Sequence, residues 1–271
     1  MQRLQSNGQA SQLMNVFGNC FFPSRRSPIF SFFMMPFNFQ NPPMDQHFQI
    51  LINREWTSPW ADRLLAFVAD FGAWAPWLLL LLVLGLVFGN FRFRAAMLAA
   101  GLAVGLSDGV GVNLLKHAVG RPRPSQVEPG VRIVRLGTAP AGLPRIAGVV
   151  SEPPVTFPNG TERPEVPGML TGEMPATGRS FPSGHAANNM AVATVLLLFF
   201  PGRGWLYLPV ALLIAYSRIY TGSHWPLDVV AGMLLGIAGG WIATRLLQIL
   251  WRRLGPNLLP RLAEAHPELI P

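Results

Sequence analysis

Charge is the scarcest feature of this 271-residue sequence: 13% of residues are charged, against 50% that are hydrophobic. Soluble domains carry about 25% charged residues, so the shortage excludes a disordered chain, a coiled coil and an ordinary cytosolic enzyme. Cysteine is nearly missing as well. The one copy, Cys20, permits neither an internal disulfide nor a cysteine-based metal site. Lysine is as rare: among 21 cationic residues Lys116 is the one lysine, and the other twenty are arginine. The net charge of +8 comes from cations scattered at the ends of apolar blocks. That placement argues against nucleic-acid binding and marks most of them as topology anchors.

What the sequence has in abundance is long apolar runs, at 74–89, 95–115, 185–200, 205–220 and 229–251. They predict an all-α polytopic membrane bundle of about five to six transmembrane helices. Ahead of them, Phe48, Leu51 and Ile52 fall on one face of a short amphipathic segment. Residues 58–71 carry Asp62, Arg63 and Asp70 among apolar residues and read as an interfacial helix. Residues 1–43 read as a flexible leader, so a chain starting at Met44 is expected to insert and function. Residues 125–181 lack a spanning run and form a long loop, in which Asn159-Gly160 suits a hairpin turn.

Orientation follows from the cations in short connections. Arg92 and Arg94, Arg203, and Arg252 with Arg253 all fall on one side, which is therefore cytoplasmic. The ends near Lys116, Ser183 and His224 then face outward, and residues 256–271 form a cytoplasmic tail. Two spans carry small residues at every fourth position: Gly101, Gly105 and Gly109 on one, Gly232, Gly236 and Gly240 on the other. Such stripes let helices approach closely in lipid, and direct pairing of these two would bring Lys116 beside the start of the last span. Asp108 must face the bundle as a structural residue, and Asn188 and Asn189 are expected to hydrogen-bond between helices. Arg121 reads as an interfacial anchor, His117 and His47 as polar caps.

Three outward ends hold the residues that could do chemistry. Lys116 and Arg123 lie on the first, Ser183, Gly184 and His185 on the second, Arg218, His224 and Asp228 on the third. Arginine forks match phosphate oxygens, and lysine adds a point charge. Ser183-Gly184 opens a helix, where backbone N–H groups and the dipole favour an anion. His224 and Asp228 stand four apart around Pro226, so the carboxylate can reach back and fix the ring's tautomer, freeing the other nitrogen as a nucleophile. His185 can then protonate the leaving oxygen. The set describes phosphoryl transfer through a phosphohistidine without a metal.

These segments resemble the signature of the type 2 phosphatidic acid phosphatase superfamily: Lys, six residues, Arg-Pro; Pro-Ser-Gly-His; Ser-Arg, five residues, His, three residues, Asp. Lys116 and Arg123-Pro124, Pro182 to His185, and Ser217-Arg218, His224 and Asp228 meet every position. The resemblance implies His224 as nucleophile, Asp228 as its orienting partner and His185 as general acid. It implies Lys116, Arg123, Ser183, Gly184 and Arg218 as phosphate ligands, with no metal and no cofactor. Residues 44–255 would be the membrane phosphatase domain, in the cytoplasmic (inner) membrane, with the site on its extracytoplasmic face. The partner would be a lipid phosphate such as undecaprenyl diphosphate, phosphatidylglycerol phosphate or phosphatidic acid. The alternatives are a lipid phosphotransferase, a lipid A phosphatase, or a non-catalytic lipid-binding or transport protein.

Overall fold

The computed structural model describes residues 42–128, 130–137, 149–152 and 179–271. The leader expected over 1–43, all but its last two residues, and the Asn159-Gly160 turn lie outside the described residues.

Helix α1 (Pro43–Ile50) runs on as a wider π turn (Leu51–Glu55). Its packing corrects the amphipathic reading of the sequence. Asp45, Gln49, Ile52 and Asn53 are buried, while Met44 and Phe48 are exposed. The polar face points inward because the surroundings of a membrane protein are themselves apolar, so polar groups find partners only inside. Gln49 donates to the Ile219 carbonyl at 3.0 Å and Asn53 to the Tyr220 carbonyl at 2.7 Å.

Helix α2 (Pro59–Ala69) starts with Pro59 at its first position and with the Ser58 hydroxyl accepting from the Ala61 N–H at 3.1 Å. Asp70 ends it and caps α3 (Phe71–Phe88), accepting from the Gly72 N–H at 2.8 Å. Asp62, one of the charges that marks this region as interfacial, pairs with Arg132 at 3.2 Å and accepts from the Tyr220 hydroxyl at 2.6 Å. Among the described residues, three helices are long and apolar enough to cross a membrane, and α3 is the first. The others are α4 (Phe91–Val119), whose middle (Gly105–Val112) is π-helical, and α8 (Pro226–Leu258), the longest. Helix α6 (Gly184–Phe199) is apolar but shorter. A 3₁₀ turn (Gly204–Tyr207) leads into α7 (Leu208–Tyr220).

The core is a three-helix contact of α4, α6 and α8 built from small side chains. Ala96, Ala99 and Ala103 of α4 and Ala191 of α6 are fully buried, and Ala243 of α8 nearly so. Small residues admit close backbone approach where lipid offers no hydrophobic drive. The glycine stripe of α8 packs on α6: a Cβ at Gly240 would stand 2.7 Å from the Ala191 carbonyl, and one at Gly236 would run into the Ala187 carbonyl. The expected pairing of the two stripes does not occur. A Cβ on Gly101, Gly105 or Gly109 would meet nothing within 4 Å. Helix α4 instead approaches α8 through Ser107, next to Gly239. The stripe is uncovered from Gly101, ahead of the π stretch, to Gly109 within it, so among the described residues this face of α4 carries no close helix neighbour.

The ends sort as the cations suggest. Phe91 lies 5.1 Å from the Trp251 ring and Phe93 6.5 Å from that of Phe200, so the Arg92, Arg203 and Arg252 connections share one end. The final segment closes this end. Helix α9 (Pro260–Ala265) leads to buried Leu269 and Ile270, and Gln248 accepts from the Leu269 N–H at 2.8 Å. At the other end lie a single turn, α5 (Pro124–Val127), and two short antiparallel strands, β1 (Ile133–Leu136) and β2 (Val149–Glu152). Asn53 anchors them to the bundle: its side chain accepts from the Arg132 N–H at 2.7 Å and donates to the Arg132 carbonyl at 3.0 Å.

Candidate active site

Each of the three polar segments is delivered by a helix end. Helix α4 stops at Gly120, whose left-handed backbone (φ 62°) suits a residue without Cβ and turns the chain toward Arg121 and Arg123. A short antiparallel bridge, Pro122 to Arg179, then ties this segment to the strand before α6, with the Ser180 N–H donating to the Arg121 carbonyl at 2.6 Å. Helix α6 begins at Gly184, directly behind Ser183, and the Ser183 N–H donates to the Asp228 carbonyl at 2.9 Å. Gly184 lets α6 sit against α4, since a Cβ there would lie 2.8 Å from Asp108 Oδ1. The third segment turns at Gly222 (φ 72°), and α8 starts at Pro226 with Asp228 in its first turn.

The segments meet. Lys116, Arg123, Arg218 and His224 all lie within electrostatic range of His185. Three buried polar atoms here have no partner within the described residues: Ser183 Oγ, Arg123 Nε and Arg218 Nε. Buried polar groups are nearly always paired, so a cluster of unpaired donors between cations fits an anion with several acceptor oxygens. The first N–H groups of α6 have no intrahelical acceptor and add to that set. A cavity of about 580 Å³ opens beside His185 and Arg218, walled by Ala66 and Ala69 of α2, by Phe71, and by Val134 to Leu136 of β1.

His224 is buried, and its Nδ1 lies 2.7 Å from the Ser180 carbonyl. A carbonyl only accepts, so Nδ1 carries the proton and Nε2 keeps its lone pair. This corrects the expectation for Asp228, whose carboxylate stands 3.9 Å from Nδ1. The tautomer is set by the Ser180 backbone, and the nearby Asp228 carboxylate favours the protonated ring. Burial pushes His224 down to about 4; Asp228 opposes this, and Arg218 and Arg123 add to it. The ring is therefore neutral around neutral pH.

Asp228 is itself held on several sides. It accepts from the Trp225 N–H at 2.9 Å, from the Ser180 hydroxyl and from Arg121 Nη1 at 2.7 Å. Arg121 is thus no interfacial anchor: it is 2% exposed, bridges Asp228 to Asp45 at 2.5 Å, and lies 5.0 Å from the Trp225 ring centre. Its charge is spent inside because two buried carboxylates need it. His117 is more than a polar cap, since its Nδ1 accepts from Arg179 at 2.6 Å. Asp108 faces the bundle as expected and accepts from Asn188 at 3.1 Å, and Asn189 accepts from the Tyr207 hydroxyl at 2.7 Å.

Sequence reasoning missed Asp45, Ser180 and Arg179. A signal for the first was present: Asp45, Gln49 and Asn53 repeat every four residues as a polar stripe in an apolar chain. Ser180 stands just ahead of the Pro-Ser-Gly-His run, but a backbone carbonyl leaves no trace in a sequence.

Comparison with known proteins agrees with this arrangement. Residues 95–252 match the PAP2 superfamily. A segment of 74 residues is 47% identical to an undecaprenyl-diphosphatase of Sulfolobus acidocaldarius, covering 27% of this chain and 34% of that protein. The chain thus spans about a third of that relative's length. Over 191 residues it is 28% identical to a lipid A 4'-phosphatase of Bacteroides thetaiotaomicron, covering 68% of this chain and 69% of the other. The crystal structure of Aquifex aeolicus LpxE superimposes with a TM-score of 0.51 at 26% identity, over 76% of this chain and 98% of that one. With the family matched across α4, α6, α7 and α8 and the three ordered motifs gathered at one end, the chain belongs to the PAP2 superfamily.

Proposed function

We propose that this protein is a membrane lipid phosphatase that removes phosphate from a lipid phosphate or diphosphate through a phosphohistidine at His224. Nε2 attacks phosphorus, and His185, protonated once the phosphate anion offsets the cations around it, gives that proton to the departing oxygen. Water, deprotonated by His185, then releases inorganic phosphate from the ring. Lys116, Arg123, Arg218, Ser183 Oγ and the opening N–H groups of α6 bind the phosphoryl oxygens, where charge builds in the transition state. The observation that carries this reading is the bond between Nδ1 and the Ser180 carbonyl at 2.7 Å, which leaves the other ring nitrogen as a base among cations.

The substrates the reading favours are undecaprenyl diphosphate and related carriers, with phosphatidylglycerol phosphate and phosphatidic acid in the same chemical class. A lipid A phosphatase is the second reading, supported by the relative that aligns over 68% of this chain. In both, the tail stays in the bilayer while the headgroup enters the cavity beside His185. The proposed location is the cytoplasmic (inner) membrane with the site on the extracytoplasmic face, since the arginines of the short connections cluster at the opposite end.

Phosphate release by the purified protein across a panel of lipid mono- and diphosphates tests the reading. His224→Ala is expected to abolish release while the protein remains folded in detergent. Retained turnover in that variant would remove the nucleophile from the mechanism.

A further inference from the structure

The buried ion cluster behind the nucleophile joins carboxylates from two distant helices. Asp45 and Asp228 are both buried, and Arg121, 1% exposed at its side chain, links them. Buried carboxylates are stable only where such partners hold them. The Asp228 carboxylate stands 3.9 Å from the His224 ring. When Nε2 takes a phosphoryl group while Nδ1 keeps its proton, the ring becomes a cation beside that carboxylate. Asp45 is also built into the start of α8: its Oδ1 accepts from the Leu227 N–H at 2.9 Å, one residue before Asp228. Burial raises the pKa of Asp45, and Arg121 and the Leu227 N–H work against that rise.

We infer that Asp45 and Arg121 are positioning residues for the nucleophile: they fix Asp228 beside His224, where its charge stabilises the ring once phosphorylation makes it a cation. The inference rests on His224 as the nucleophile. It gives α1 a part in the chemistry, although α1 lies outside the family match at 95–252 and touches no phosphate ligand named above. Loss of the Asp45 charge would leave Arg121 to Asp228 alone, so Asp228 would stabilise the charged ring less. The phosphoryl-transfer step should weaken while phosphate binding, made by Lys116, Arg123 and Arg218, should not.

The test uses inorganic phosphate as the probe, with the purified full chain. Reversible attack of Nε2 on phosphate expels water, so the enzyme should exchange ¹⁸O between phosphate and solvent. Asp45→Asn keeps the shape and removes the charge. It is expected to slow maximal exchange by ~10-fold to ~100-fold, as loss of a supporting contact behind a reacting group typically does, with half-saturating phosphate unchanged. Asp45→Glu is expected to restore part of the rate. Wild-type exchange in Asp45→Asn overturns the inference. So does a loss that Glu fails to restore and that comes with weaker phosphate saturation, because that pattern marks a purely structural role. Should Asp45→Asn not fold, Asp45→Asn with Arg121→Met removes the buried pair whole, and a wild-type rate in that variant overturns it equally. Failure of the phosphohistidine reading looks different: wild type itself shows no exchange, or His224→Ala retains it.

Discussion

Two glycine stripes with identical spacing sit in opposite surroundings. On α8, Gly232, Gly236 and Gly240 face the α6 backbone so closely that any side chain would collide with it. On α4, Gly101, Gly105 and Gly109 meet nothing. The same contrast runs through whole elements. Helix α3 has a mean hydropathy of 2.2 and no buried residue, whereas α8 buries its glycines, Asp228, Thr244 and Gln248. Composition reports that an element belongs in a membrane; it does not report which face another helix covers.

The comparison can be broken most sharply at the stripes themselves. Gly236→Leu should prevent α6 and α8 from packing and abolish monodisperse protein in detergent, while Gly105→Leu should leave thermal unfolding within about 0.5 kcal/mol of wild type. Equal effects would erase the distinction between the two faces.

A second contrast is between titrating and inert regions. His224 lies at about 4 in the folded protein, below its ordinary 6.5, because it is buried. The unfolded chain therefore binds more protons across that window, so stability rises with pH from about 4 to 6.5 and is lost on acidification. The loss is on the order of a few kcal/mol. His224→Gln, read by thermal unfolding between pH 4 and 7, should flatten this slope; an unchanged slope would assign it to other groups.

Asn53 sharpens the inverted polarity of α1. Asn53→Leu strands the Arg132 N–H and the Tyr220 carbonyl, at an expected cost of about 1–3 kcal/mol each, although the change is apolar in a membrane protein. A stabilised variant would mean that this face is not inward. A small effect belongs to the exposed pair of Arg252 and Glu268, 2.6 Å apart at the far end. Arg252→Ala should cost no more than about 1 kcal/mol, and less in high salt.

The proposed phosphate cup was legible because its residues sit in short ordered runs. Lys116, Arg123, Ser183, Gly184, His185, Arg218, His224 and Asp228 reach one end of the bundle as those runs imply. Its support was not legible. Arg121 meets Asp228 across 107 positions and Asp45 across 76, distances over which no local periodicity extends. The tautomer of His224 depends on the carbonyl of Ser180, which every residue type possesses. The covered face of α4 was not legible because small residues lie on more than one of its faces, and the spacing of Gly101, Gly105 and Gly109 is the same as that of the covered stripe on α8.

The sequence by itself determined that the chain lives in lipid, which ends carry cations, and which residues are candidates to bind and attack a phosphate. Those properties follow from side-chain chemistry and short spacing, both local. Only the tertiary structure decided which glycines are covered, that α1 turns its polar face inward, and that Arg121 serves two buried carboxylates. Each of these depends on what stands opposite a residue in space, and in a membrane bundle that partner comes from a distant helix.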